Sequence, residues 1–192
     1  MNEKAVEHFR AFMKAVGLED SQDPELARTA ERFSALMEEL FYGLTQEAPA
    51  ISTFDAPGLE RGVSVQRPVL TCALPFQSMC VHHLLPFFGT IDVAYIPAHS
   101  IVGFGSIGRV IDHFAARPQV QERLILDISD HLEKTLQPAG LLVRLRARQL
   151  CMEMRGARKQ GELISVEARG ILQRGDLRAE IMSQFQRAEK DL

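Results

Sequence analysis

The 192-residue sequence lacks any uninterrupted apolar run near the roughly 18 residues that a membrane span requires. Met1 is followed by Asn-Glu-Lys and an amphipathic pattern, not by an apolar signal region, so a cytoplasmic location without a membrane partner is expected. An excess of one charge is missing too. The 22 Lys and Arg against 25 Asp and Glu give a formal net charge of -3 and a pI near 6.1, which makes no electrostatic case for nucleic acid. Cysteine is sparse, at three residues. An odd number without a secretory signal argues against a disulfide framework and turns attention to thiolate metal ligation. There is no internal repeat, no low-complexity segment and no clear linker. The expected organisation is an N-terminal helical segment over residues 1–43 and one structural unit over 44–192.

What is present reads as an α+β pattern. Ala5, Phe9, Phe12, Met13 and Val16 recur at helical steps over residues 2–17, and Gly17 ends the run. A second helix starts at Asp23-Pro24, an N-cap followed by a proline suited to the first helical position, with Gly43 as its C-cap. Residues 44–62, rich in Pro and Gly, read as a long loop. Strand character begins near Val63 and runs to Leu74, with Pro68 marking an edge or bulge and Pro75 a stop. Cys72 has no partner at ligand spacing and reads as a small buried hydrophobe. Thr90 to Ile96 alternates as a strand. Helices follow over 107–117, with Ser106 as cap, and over 119–137. The glycines before Ser106 also permit an anion site at that helix start. In the strand Leu141 to Cys151, Gln149 and Cys151 fall on one face and Arg144, Arg146 and Arg148 on the other. Those arginines read as a solvated or subunit-facing surface, with an anion groove as the alternative. A strand over 162–172 and a helix over 177–188 complete the chain.

Cys80 and His83 are spaced C-x-x-H, so one short turn can offer sulfur and nitrogen to a single ion. Cys151 completes a set of two thiolates and one imidazole. Three protein ligands with a fourth position open is the pattern of a catalytic zinc site, while two buried structural cysteines are the plainer alternative. His82 diverges from its neighbour His83. It is free for proton transfer or for orienting a ligand.

The stretches Ser78–Gly89, Val93–Pro97, Arg117–Leu124 and Cys151–Gly156 resemble the GTP cyclohydrolase I family in order and spacing. The resemblance implies the tunnelling fold, an antiparallel sheet with paired helices plus N-terminal helices, and a decamer of two facing pentamers. It implies Zn2+ held by Cys80, His83 and Cys151. The implied reaction opens the guanine imidazole ring at C8, releases formate and recloses to 7,8-dihydroneopterin triphosphate. Glu122, with Gln121 beside it, matches the residues that hold the pyrimidine edge of guanine. A carboxylate there accepts two parallel N–H bonds. His82 matches a histidine near the ribose, and Arg109 and Arg155 match phosphate-binding arginines.

Three departures accompany the match. Val81 stands where the family has Glu. Gly103-Phe104-Gly105-Ser106 replaces a Gly-Leu-Ser-Lys phosphate segment. Gln149 replaces a histidine that moves protons, and Gln does not titrate near neutrality. Three functions follow: a GTP cyclohydrolase in which another group replaces that histidine, a paralogue acting on a less phosphorylated purine or pterin or stopping at ring opening, and a weakly catalytic binding or regulatory paralogue.

Overall fold

A buried carboxylate fastens the central strands. The computed structural model describes residues 2–18, 23–55 and 67–190. In chain order it contains α1 (Glu3–Ala15), α2 (Thr29–Leu40), β1 (Thr53–Asp55), β2 (Val69–Cys80), β3 (Pro86–Ile96), β4 (Ser100–Val102), α3 (Phe104–Ala115), β5 (Pro118–Gln119), α4 (Gln121–Leu136), β6 (Gly140–Gln149), α5 (Leu150–Glu153), β7 (Glu162–Gly170) and α6 (Asp176–Lys190). The main sheet has the order β5-β2-β3-β6-β7 and is antiparallel, apart from a short parallel pairing of Met79 and Cys80 with β5. In β3, Asp92 is 1% exposed and accepts from Arg144 Nε at 2.8 Å and from the Ala73 backbone N–H at 2.9 Å.

Alternation along the strands divides the core in two. Ile91, Val93, Tyr95, Leu141, Val143 and Leu145 pack against Ile107 and Ile111 of α3 and Leu124 and Ile128 of α4. On the opposite face Ala94, Ile96 and Leu142 meet Leu172 and, from α6, Ile181 and Phe185. A third cluster joins Val6 and Met13 of α1 to Ala30 of α2, and the Phe9 and Phe33 rings stack at 3.9 Å. This is the α+β, antiparallel architecture expected from the sequence, with helices on both sheet faces and N-terminal helices beside them.

Several boundaries differ from the sequence-based expectations. β2 runs through Pro75, which lies opposite Thr90. Among the described residues the other side of β2 carries no strand until Met79, so the missing N–H of Pro75 need not cost a ladder bond. The bulge lies between Thr71 and Leu74, not at Pro68, with Ala73 at φ 53° and its N–H on Asp92. The expected start near Val63 lies outside the described residues. Within the expected loop, Thr53–Asp55 pairs with Ser100–Val102.

Gly43 is not the C-cap of α2, which ends at Leu40. Its N–H donates to Ala116 O at 3.0 Å, and a Cβ there would collide with the backbone oxygens of His113 and Ala116. Gly103, not Ser106, is the N-cap of α3. β6 stops at Gln149, and Cys151 belongs to the helical turn α5, outside the alternation. Arg144 is 5% exposed because α6 covers that sheet face. The solvated surface expected for the three arginines therefore fails there. Arg146 pairs with Glu162 and Glu189, and Arg148 with Glu153.

Candidate metal centre and surrounding site

β2 delivers Cys80 to the end of the sheet, and the chain turns back at once into β3. The turn is pinned by Cys80 N–H to Leu85 O at 2.9 Å, Leu84 N–H to Cys80 O at 2.9 Å and Val81 N–H to Gln119 O at 2.9 Å. Leu84 takes φ 50° to complete the reversal. Ser78 Oγ donates to Ala115 O at 2.7 Å, which fixes the same strand end to α3. From the far side β6 ends opposite Phe87, and α5 carries Cys151.

The ligand atoms of Cys80, His83 and Cys151 lie within 4.8 Å of one another. Cys80 is buried, Cys151 half-buried and His83 exposed, so the group opens to solvent on one side. Cys80 Sγ is 3.9 Å from His83 Nδ1 and 3.8 Å from His82 Nδ1. Burial, followed by the adjoining Cys80 thiol, pushes the Cys151 thiol above its ordinary pKa, with Arg155 acting the other way. A divalent cation reverses that preference, because the thiolate is the ligand form. Two soft sulfurs and one imidazole suit zinc and leave a tetrahedral position open, so the donor set fits a resident metal.

Arg155 Nη1 approaches His83 Nε2 at 2.6 Å. A guanidinium only donates, so this nitrogen accepts. Gln149 Nε2 donates to Gln121 Oε1 at 2.9 Å, and Gln121 is itself buried. Glu122, in the first turn of α4, is exposed, with no hydrogen bond or ion pair among the described residues. Its charge there is favoured by the helix dipole.

Arg109 stands apart from the Cys/His group. Its Nη2 donates to Ser106 Oγ at 3.0 Å, and it borders a cavity of about 200 Å³ with Tyr42, Gln46, Glu47 and Asp112. Burial raises the Asp112 carboxyl above the usual range. Ser106 points inward, also accepting from the Ser52 N–H at 3.2 Å, and its own N–H is on Gly103 O at 2.8 Å. A cavity of about 660 Å³ lies between α1 and α2 among Phe9, Phe12, Phe33 and Phe41, away from the Cys/His group.

The structure thus gathers Cys80, His82, His83, Cys151 and Arg155, and separately joins Gln149 to Gln121. Sequence reasoning does not reach Ser165, which accepts from Gln121 Nε2 at 3.1 Å, or Gln119, whose carbonyl holds the Cys80 turn. Ser165 lies in none of the matching stretches, and Gln119, although inside Arg117–Leu124, has no role implied by that match. Only the sheet register brings them in.

The model of the GTP cyclohydrolase I family matches residues 5–186. The chain is 41% identical over 162 residues to GTP cyclohydrolase 1 of Lactiplantibacillus plantarum, covering 83% of this chain and 82% of that protein. It is 39% identical over 170 residues to GTP cyclohydrolase 1 of Aquifex aeolicus, covering 88% of each chain. With GTP cyclohydrolase 1 of Parabacteroides distasonis the identity is 35% over 177 residues, covering 92% of this chain and 88% of that one.

Proposed function

This chain belongs to the GTP cyclohydrolase I family, and we propose that it is a zinc-dependent cyclohydrolase that opens the guanine imidazole ring of GTP at C8, giving 7,8-dihydroneopterin triphosphate and formate. The observation that carries this reading is the convergence of Cys80, His83 and Cys151, from two distant stretches of chain, to within 4.8 Å. Zinc held there would supply a Lewis acid and make water nucleophilic at neutral pH.

The other roles belong to the chain's own groups. Glu122 has a free carboxylate that can accept the N1–H and 2-amino protons of guanine, which fixes the base and excludes adenine. His82, beside Cys80, is the remaining imidazole at the centre and takes the proton-transfer role. Arg155 and Arg109 are the phosphate-binding cations, and Arg155 must leave His83 to do so. Assembly into a decamer of two facing pentamers is part of the same reading. Among the described residues the outer side of β7 is unpaired, with Leu163 and Ile164 exposed, which suits sheet-edge pairing between subunits. Among the described residues no helix is long and apolar enough to cross a membrane.

A second reading is favoured by one set of observations. Gly105 has no side chain, Ser106 is turned inward, and Arg144, Arg146 and Arg148 are all ion-paired, so none of these three arginines stands free to replace the missing phosphate lysine. That favours a less phosphorylated purine or pterin as substrate, or arrest at ring opening. Zinc-loaded protein incubated with GTP and with guanosine, its products followed by absorbance and mass, separates the two. Dihydroneopterin triphosphate supports the first reading, and a formamidopyrimidine or an unphosphorylated product supports the second. Tight binding without turnover defeats both. For the metal, Cys151→Ala should lower zinc affinity by at least about 100-fold, since even loss of a ligand's outer partner costs roughly 10–100-fold. Full zinc retention by that variant in elemental analysis after dialysis would exclude the three-residue site.

A further inference from the structure

At the end of β6 two side-chain amides meet, and their orientation is not free. Gln121, 2% exposed, donates from Nε2 to Leu163 O at 3.0 Å and to Ser165 Oγ at 3.1 Å, with Leu145 O at 3.4 Å. Backbone carbonyls accept and cannot donate. The amide nitrogen of Gln121 must therefore face β6 and β7, and its oxygen must face Gln149. An oxygen needs a donor, so Gln149 turns its NH2 inward, at 2.9 Å. The carbonyl oxygen of Gln149 is left pointing elsewhere, with no protein donor on it among the described residues. Gln149 is half-buried, immediately precedes α5 and stands two residues before Cys151.

We propose that Gln121 is a positioning residue acting through Gln149. It fixes a carbonyl acceptor two residues before Cys151, so a ligand held at the Cys80–His83–Cys151 group and reaching position 149 is one that brings an N–H or O–H donor there. A ligand that needs a proton delivered from position 149 is disfavoured. Ser165 is the outer anchor of the same relay. The buried amide is held by two secondary elements besides its own, so the acceptor is aimed before any ligand arrives. The identity of the ligand rests on the guanine-nucleotide reading above. The direction of the relay does not.

Two measurements test it. The first is melting of Gln149→Glu against Gln149→Met at pH 7.5, with zinc-loaded and with chelator-treated protein. A carboxylate at 149 faces the Gln121 oxygen, so the Glu variant should melt below the Met variant in both. A Glu variant that matches or exceeds the unmodified protein after chelation overturns the assigned direction. The second is calorimetric binding of 7-deazaguanosine 5′-triphosphate, in which carbon at position 7 removes the amidine that hydrolysis needs. Gln149→Met and Gln121→Met should each weaken binding about 10-fold, and the double variant about 10-fold again rather than about 100-fold. Ser165→Ala should weaken binding a few-fold in the unmodified protein and not at all in the Gln149→Met background. Multiplying effects would mean that Gln121 touches the ligand itself and would overturn the positioning role. Absence of binding by the unmodified protein would overturn the guanine-nucleotide ligand, and the melting comparison would still decide the direction of the relay.

Discussion

Arg144 shows how far one side chain can depart from its pattern. It alternates with Arg146 and Arg148, and by periodicity alone it belongs to a wet face. Its guanidinium instead lies 2.8 Å from Asp92, 52 positions earlier, and donates to Phe185 O of α6 at 3.2 Å. Because Asp92 also accepts the Ala73 N–H, one carboxylate neutralises a buried cation and satisfies a bulge. Asp92→Ala removes the nearer carboxylate of Arg144 and the acceptor of the Ala73 N–H, and leaves the buried guanidinium only the exposed Glu189 at 3.5 Å. The expected loss is about 3–5 kcal/mol, read from urea unfolding, and Arg144→Met with Asp92→Asn together should recover much of it. Gln149 is the other decisive residue. Gln149→His places a titratable imidazole two residues before Cys151, still within reach of Gln121 Oε1. If GTP is the substrate, turnover should rise by roughly 10²–10⁴-fold, the usual contribution of a positioned acid–base group. No gain in steady-state assays would assign the limit to the phosphate end, where Gly105 and Ser106 stand.

Elements are where sequence and structure agree best, and the exceptions have physical causes. α1, α4 and α6 announce themselves because a 3.6-residue apolar period leaves little alternative. Strand ends are less legible. Pro75 looks like a stop, but a strand with one open side tolerates it. Cys151 looks like the last strand residue, but the chain turns helical at Leu150. Cys80 and His83 are readable as a pair from C-x-x-H spacing, whereas Ser165 enters only through strand register, which no local pattern encodes, and the turn-holding role of the Gln119 carbonyl comes from the pairing of β5 with β2.

The joint between the N-terminal helices and the sheet domain is similarly hidden. Its contact is Gly43 N–H to Ala116 O, beside a buried His113 whose Nε2 accepts from Arg117 at 2.7 Å. Burial, then Arg117 and His131, push the His113 pKa below 6.5. Asp112 and Arg109 on the same helix, and Tyr42 and Glu47 across the joint, line the same cavity. Because the folded pKa is depressed, the folded state favours the neutral ring more strongly than the unfolded state does. Stability is therefore full above about pH 6.5 and is lost as pH falls from there toward the lower folded value. The melting temperature should drop between pH 7.5 and 5.5, and His113→Gln should reduce that drop.

On the scale of the whole molecule, the two sheet edges are the unfinished feature. Among the described residues, β7 offers nine residues with no strand on their outer side, and β2 is open from Val69 until β5 meets it at Met79. Open edges invite pairing, and a β7 edge set against the β2 edge of the next copy is a head-to-tail contact that closes into a ring if the rotation permits. Apolar side chains near the edge and the Cys/His group point the same way. Ile164 is 56% exposed, Met154 64%, Leu84 46% and Phe88 37%. The edge also buttresses the site, since Leu163 O and Ser165 Oγ hold Gln121. Assembly and site geometry should therefore fail together. Ile164→Lys puts a charge on the edge, the device by which sheets avoid partners. Light scattering after size exclusion should give the unmodified protein near ten times the 21.5 kDa chain mass and the variant a much smaller species. Loss of GTP turnover should track the fraction of small species across protein concentration. A variant that is small but equally active would separate the edge from the site and leave each subunit's Cys80, His83 and Cys151 sufficient on their own.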